Sequence, residues 1–253
     1  MDRGLPEGVA SKLGPLGRYE LRATLFAFAV VLVGIPFGLL LHQVTTHGVL
    51  TRVDESAAQH LNAFFHGQRA FIDFFEVVSF IGKPIFLLFA IGIPGLWLFF
   101  HGGRKLALFL AVTCLGGGLV DTVVKVAVAR PRPQVDEPII AAFGNSFPSG
   151  HSMQSVVCYG ALLLCFLPTL TGRIRTLAIG AYVCIPLAIG FSRLSLGVHF
   201  ITDVLGGYVL GAAWLAASVA AWEIWREDRG KRPTHVTEEG VEPEEAKKLP
   251  VSA

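Results

Sequence analysis

Six stretches of almost unbroken apolar residues set the terms for this chain: Ala23–Leu41, Ile85–Phe100, Leu106–Val126, Met153–Leu170, Ile174–Phe191 and Ile201–Trp222. A helix needs about 20 mostly apolar residues to cross a hydrocarbon core, and a backbone in lipid must satisfy its own polar groups. Each stretch therefore predicts a helix, with Ile85–Phe100 short enough to borrow residues upstream. The fold class that follows is all-α: a polytopic membrane protein with six transmembrane helices in one bundle. Composition agrees, since 53% of the 253 residues are hydrophobic and only 16% charged, with a mean hydropathy of +0.58. That balance lies outside the range of soluble domains.

The expected organisation is an N-terminal segment over residues 1–22, one membrane domain over 23–225, and a tail over 226–253. The exit of the first stretch, HQVTTHG, has no small-residue cleavage pattern, so it reads as a retained anchor. Six spans place both termini on one side. Lys and Arg gather there: Arg3, Lys12, Arg18, Arg22, Arg104, Lys105, Arg173, Arg175, Arg226, Arg229, Lys231 and Arg232. By the positive-inside rule that side is cytoplasmic, and Trp222 with Trp225 suits an aromatic belt at the same face. The chain is thus expected in the cell (inner) membrane, with its remaining loops facing outward.

Residues 53–80 have apolar groups near helical spacing (Leu61, Phe64, Phe65, Phe71, Phe74, Phe75, Val78) interrupted by charges, which predicts one or two amphipathic helices at the outer interface. Past Trp225 the chain mixes charges of both signs with Pro and Gly and loses apolar period, which predicts a disordered tail. Gly207 and Gly211 have the GxxxG spacing of close helix contact in lipid, and Gly116, Gly117 and Gly118 form a second small-residue patch. Packing within one subunit, and so a monomer, is the expectation. A net charge of +2 without a basic patch points away from nucleic acid. Cys114, Cys158, Cys165 and Cys184 all lie in apolar runs and read as small hydrophobic side chains.

Charged groups are costly near a bilayer, about 2.5 to 3.5 kcal/mol each at a helix centre, so those retained there carry a task. In this sequence they fall at the outer ends of the expected helices: Lys125 after the third stretch with Arg132 in the loop beyond, His151 before the fourth, Arg193 after the fifth, His199 and Asp203 before the sixth. Three permanent cations and two imidazoles at one level suit an oxyanion. A cation about 4 Å from one negative charge gains roughly 4 kcal/mol at an effective dielectric of about 20, before desolvation. Lys125, Arg132 and Arg193 can thus hold a phosphate and the charge that spreads onto its oxygens during transfer. In Pro148-Ser149-Gly150-His151, Gly150 permits close backbone approach, the following helix offers free amides, and Ser149 adds a hydroxyl. His199 and Asp203 are four apart and share a helical face, so the carboxylate can accept a hydrogen bond from Nδ1–H and leave Nε2 as the nucleophile. His151 is then the acid for the leaving oxygen and the base for water. Asp121 lies four residues before Lys125 and is expected to position its ammonium, with a pair to Arg130 as an alternative. With Asp203 the only carboxylate among these motifs, no metal and no cofactor is expected.

Lys125 followed after six residues by Arg132-Pro133, the PSGH run at 148–151, and Ser192-Arg193 ahead of His199 and Asp203 resemble the three signature motifs of the type 2 phosphatidic acid phosphatase superfamily. The likeness covers about Arg104 to Gly211, and its membrane branch shares the six-span architecture. It implies metal-independent hydrolysis through a phosphohistidine on His199. Asp203 would orient it, His151 would act as acid and base, and Lys125, Arg132, Arg193, Ser149 and Gly150 would bind phosphate. The expected partner is a membrane lipid phosphate: by resemblance, undecaprenyl diphosphate, phosphatidylglycerophosphate or phosphatidic acid. A lipid phosphotransferase shares the first half reaction, and a transporter of phosphorylated lipids would need the cations but not the His199–Asp203 pair.

Overall fold

The computed structural model describes residues 34–135 and 139–250, and the secondary structure among them is helical, without strands. Residues 34–45 form α1; α2 is Val49–Phe65, α3 Arg69–Phe80, α4 Pro84–Phe100, α5 Arg104–Val128, α6 Gly150–Phe166, α7 Gly172–Ser195 and α8 Ile201–Glu227, followed by the short α9 Val236–Glu239 and α10 Pro243–Ala246. A 3-10 turn, Leu167–Thr169, extends α6.

Four of these elements are each long and apolar enough to cross a membrane: α5, α6 with its 3-10 turn, α7 and α8. Their extents match the last four expected spans to within a few residues. The second expected span is α4, whose 17 residues fall short alone. It qualifies only together with α3, the two meeting at a bend of 44° across Ile81–Lys83. The first expected span, Ala23–Leu41, lies mostly outside the described residues, as do 1–22.

The bundle is organised around α6, which is 56% buried over its most apolar window against 17 to 28% for α5, α7 and α8. Its closest partner is α8, and glycine makes that approach possible. A Cβ on Gly207 would stand 2.7 Å from the Ser149 carbonyl oxygen, and one on Gly211 would stand 2.8 Å from that of Met153. The GxxxG pair thus serves packing inside this chain. On the outside, Leu115, Leu119, Val123 and Val126 of α5 and Leu177, Val183 and Leu187 of α7 are exposed, as expected of side chains that meet acyl chains.

Residues 53–80 do form two helices, but α2 turns the unexpected face inward. Thr51, Asp54, Ala58, Asn62 and Phe65 are its buried residues, whereas Phe64 is exposed, as are Phe71 and Phe74 of α3. In lipid the apolar face has no need to turn inward, so the polar stripe is the one that docks on the bundle.

The expectation of a disordered tail fails over the described part of 226–253. Arg226 is 0% exposed and bonds Glu242 at 2.7 Å and Glu244 at 3.0 Å. Glu245 accepts from the backbone N–H of Lys105 at 2.8 Å, satisfying free amides at the start of α5. Val241, Ala246 and Leu249 join a buried cluster with Leu98, Leu106 and Phe109. Composition hid this because the few apolar residues are spaced irregularly and the acids are spent on a helix start and on one buried arginine.

Candidate active site

Four helix ends meet at the end of the bundle away from the tail: the C-termini of α5 and α7 and the N-termini of α6 and α8. Around them a cavity of about 1000 Å³ is lined at its polar end by Asp121, Lys125, Arg132, His151, Arg193 and His199, and elsewhere by α4, α5 and α6, as far as Phe99 and Arg104. The structure therefore joins all three motifs, spread from Lys125 to His199, into one chamber with a long apolar flank.

His199 lies in the turn between α7 and α8 and is 3% exposed. Its Nδ1 faces Asp203 Oδ2 at 3.4 Å, and its Nε2 lies 3.2 Å from Arg132 Nη1. A proton on Nδ1 leaves the Nε2 lone pair to accept from Arg132, which lines the same cavity. Burial holds the imidazole well below its ordinary value of 6.5, to about 4, with Arg193 and Arg132 adding to the effect and Asp203 opposing it. Asp203 is 0% exposed. It sits behind His199, at the third position of α8, where Oδ2 also accepts from the Phe200 N–H at 2.9 Å. The same carboxylate thus fixes the histidine and caps the helix that carries it.

The cations are held by their neighbours. Lys125 donates to Asp121 Oδ1 at 2.7 Å and to the Pro148 carbonyl at 2.6 Å. The expected Asp121–Lys125 pair is present, and Arg130 is engaged elsewhere. Arg132 donates to the carbonyls of Val198 (2.8 Å) and Gly144 (3.1 Å), tying the motif loop to the histidine turn. Burial lowers its guanidinium from the usual value, against the pull of Asp203. Arg193 is 6% exposed and donates to Ser79 Oγ of α3 at 2.6 Å. Its Nε and the Nε2 of His151 are buried without a partner among the described residues. Buried polar atoms of that kind are rare, and two on one cavity fit a site built for a polar ligand.

Within PSGH the roles divide. Gly150 and His151 line the cavity, and a Cβ on Gly150 would stand 2.8 Å from Asp121 Oδ2 and 3.1 Å from Lys125 Nζ. Ser149 does not line it. It is fully buried, it caps α6, and its Oγ lies 3.1 Å from Ser152 Oγ and accepts from the Ser152 N–H. The cap preference of serine explains its place better than the hydroxyl donor expected from sequence.

Of two further participants, the sequence points to Arg130 only as an alternative partner for Asp121, and to Asp54 not at all. Arg130, 7% exposed, lies behind Asp203 and donates to its Oδ1 at 2.6 Å. Asp54 of α2, 2% exposed, accepts from the other arm of Arg130 at 2.9 Å and from the Thr202 N–H at 3.1 Å. The doubled Arg-Pro of RPRP hinted at Arg130. Nothing local marked Asp54, which stands beside Glu55 on an amphipathic helix.

The PAP2 superfamily model matches residues 106–227, a range that contains every motif residue named above. Phosphatidylglycerophosphatase B of Bacillus subtilis is 36% identical over 137 residues, which take in 53% of this chain and 66% of that protein. Undecaprenyl-diphosphatase BcrC of the same organism is 28% identical over 53% of this chain and 68% of its own length. In mouse, sphingosine-1-phosphate phosphatase 2 is 28% identical over 42% of this chain and 30% of its own. Among solved structures, the transmembrane PAP2-type phosphatidylglycerolphosphate phosphatase of Bacillus subtilis superimposes with a TM-score of 0.69 at 27% identity, over 81% of this chain and 98% of that one. With its three motifs converged on one membrane-embedded chamber and these likenesses on either side of it, the chain belongs to the PAP2 superfamily.

Proposed function

We propose that this protein is a metal-independent membrane phosphatase that removes the terminal phosphate of a lipid monophosphate or diphosphate through a phosphohistidine on His199. Family membership and the phosphatase relatives make it a hydrolase of phosphate esters. The lipid class rests on one observation above all: the chamber that begins at Lys125, Arg132, Arg193 and His199 continues without a break along the apolar faces of α4 and α5. A headgroup at one end and a tail along the other fit that shape.

In the proposed reaction Lys125, Arg132 and Arg193 hold the phosphate oxygens with the amides that open α6 at Gly150. His199 Nε2 attacks phosphorus, so an N–P bond forms as the P–O bond to the lipid breaks. His151 gives its proton to the departing oxygen. Water then attacks phosphorus, His151 takes its proton, and phosphate leaves. Asp203 keeps the Nδ1 proton in place while the ring gains positive charge. With the six spans and cytoplasmic termini expected from the sequence, the reaction belongs at the outer face. Phosphatidylglycerophosphate is the first substrate to try, because the 36% identical relative is named for it. Undecaprenyl diphosphate and phosphatidic acid follow.

The test is phosphate release in detergent from a panel of these lipids in excess EDTA, with His199→Ala alongside. Release that survives EDTA and disappears in the variant supports the reading. No release from any lipid by the folded protein ends it.

A further inference from the structure

The histidine and its carboxylate do not stand alone. Asp203 shares Arg130 with Asp54: Nη1 of the guanidinium is 2.6 Å from Asp203 Oδ1, and Nη2 is 2.9 Å from Asp54 Oδ2. Both side chains of that second pair are almost wholly buried, at 6% and 2% exposure. The Arg130 guanidinium also stacks on the Phe200 ring, 4.1 Å from its centre. Asp54 further accepts from the backbone N–H of Thr202 and from its hydroxyl, inside the first turn of α8. An outer amphipathic helix thus sends one carboxylate into the base of the nucleophile's helix. Asp54 lies outside residues 106–227, the range matched by the superfamily model.

Charge accounting gives this contact a purpose. Asp203 alone would complement a phosphorylated, positively charged imidazole, but Arg130 at 2.6 Å cancels it. With Asp54 included, the hydrogen-bonded unit of two carboxylates and one guanidinium holds one negative charge in excess. That excess faces the imidazole, which gains positive charge as the N–P bond forms. We propose that Asp54 is a positioning residue for the reaction: through Arg130 it keeps Asp203 electrostatically available to His199 and lowers the energy of the charged imidazole in the transition state. The inference rests on His199 acting as the nucleophile. Asp54 touches neither substrate nor phosphorus, so it acts on turnover and not on binding.

The experiment uses the full-length protein and any lipid phosphate that the wild type hydrolyses, so that failure of the phosphatase reading appears first, as an inactive wild type. Asp54→Asn keeps shape and removes the charge. Its expected kcat is roughly 10- to 100-fold lower at unchanged KM. Inhibition by orthovanadate, which mimics the five-coordinate phosphorus, should weaken in step while inhibition by inorganic phosphate holds. Asp54→Asn with Arg130→Gln restores one excess negative charge and should recover part of the lost turnover. A normal kcat in Asp54→Asn, a change confined to KM, or a double variant as poor as the product of the two single ones overturns the proposal. Should the single variant fail to fold, the double, which holds the same excess charge as the wild type, decides. Turnover within about tenfold of wild type supports the charge account, and any larger loss overturns it.

Discussion

Asp121 Oδ1 lies 2.7 Å from Lys125 Nζ, one helical turn away on α5, and both line the chamber that holds His199. With a second bond to the Pro148 carbonyl, the ammonium has one proton left for a ligand. Asp121→Asn removes the charge that aims it. The phosphate-binding step should weaken by about 10- to 150-fold, the worth of a charge-assisted hydrogen bond. Michaelis constants for the lipid substrate would report it, and unchanged KM and kcat would show that the pair is only structural.

Burial sets the acid limit of the proposed reaction. The imidazole of His199, held down to about 4, stays neutral, and so nucleophilic, at any pH above that value. Activity should therefore persist well below the ordinary histidine range and fall only as pH drops through about 4. The acid limb of kcat/KM reads this directly, because it reports the free enzyme. A limb for His199 near 6.5 would contradict the buried setting.

The α6–α8 contact leaves no room for a methyl group. Gly207→Ala would press a Cβ to 2.7 Å from a backbone oxygen of Ser149, the residue that caps α6. Forced overpacking of that kind costs about 1 to 3 kcal/mol. Thermal unfolding in detergent should show a lowered midpoint and reduced phosphate release, since Ser149 N–H also bonds the Asp203 carbonyl at 2.9 Å. An unaltered midpoint would mean that the two helices part without cost.

Gly92 of α4 lines the chamber with open space where a side chain would go. Gly92→Trp should fill that space. Hydrolysis of a long-tailed lipid phosphate is expected to fall at least about tenfold, as when a pocket loses about 1.4 kcal/mol or more of apolar contact, while a short water-soluble phosphate ester is spared. Equal losses on both substrates would separate the apolar flank from tail binding.

The tail depends on one buried arginine. Removing it by Arg226→Ala leaves Glu242, itself 0% exposed, with Lys231 at 2.6 Å as its remaining cation. Breaking a buried pair from one side costs about 3 to 5 kcal/mol. Limited proteolysis should then cut between residues 228 and 250, while the wild type is expected to resist. A wild type cut as readily as the variant would return the tail to the disorder expected from its composition.

Much of this was legible in the residues. Apolar length predicts α5 to α8, because a span in lipid has few alternatives, and the four-residue interval predicts both the His199–Asp203 and the Asp121–Lys125 contacts. Contacts between distant segments were not legible. Asp54 reaches Arg130 across 76 residues, and no periodicity encodes such a meeting. Ser149 has the same composition in either role, so only its burial separates a helix cap from a ligand donor. The tail's acids looked like solvated charge until Arg226 and the start of α5 were seen to claim them.

The chamber has a wet end and an oily flank, which bears on how the proposed reaction finishes. Its two products belong to different phases: phosphate is released to water, while the lipid alcohol stays among acyl chains beside α4 and α5. Reversal would need both to return at once from opposite sides of a phase boundary to the same histidine. Compartment, as much as chemistry, then gives the reaction its direction, and the protein need only stand where water and lipid meet.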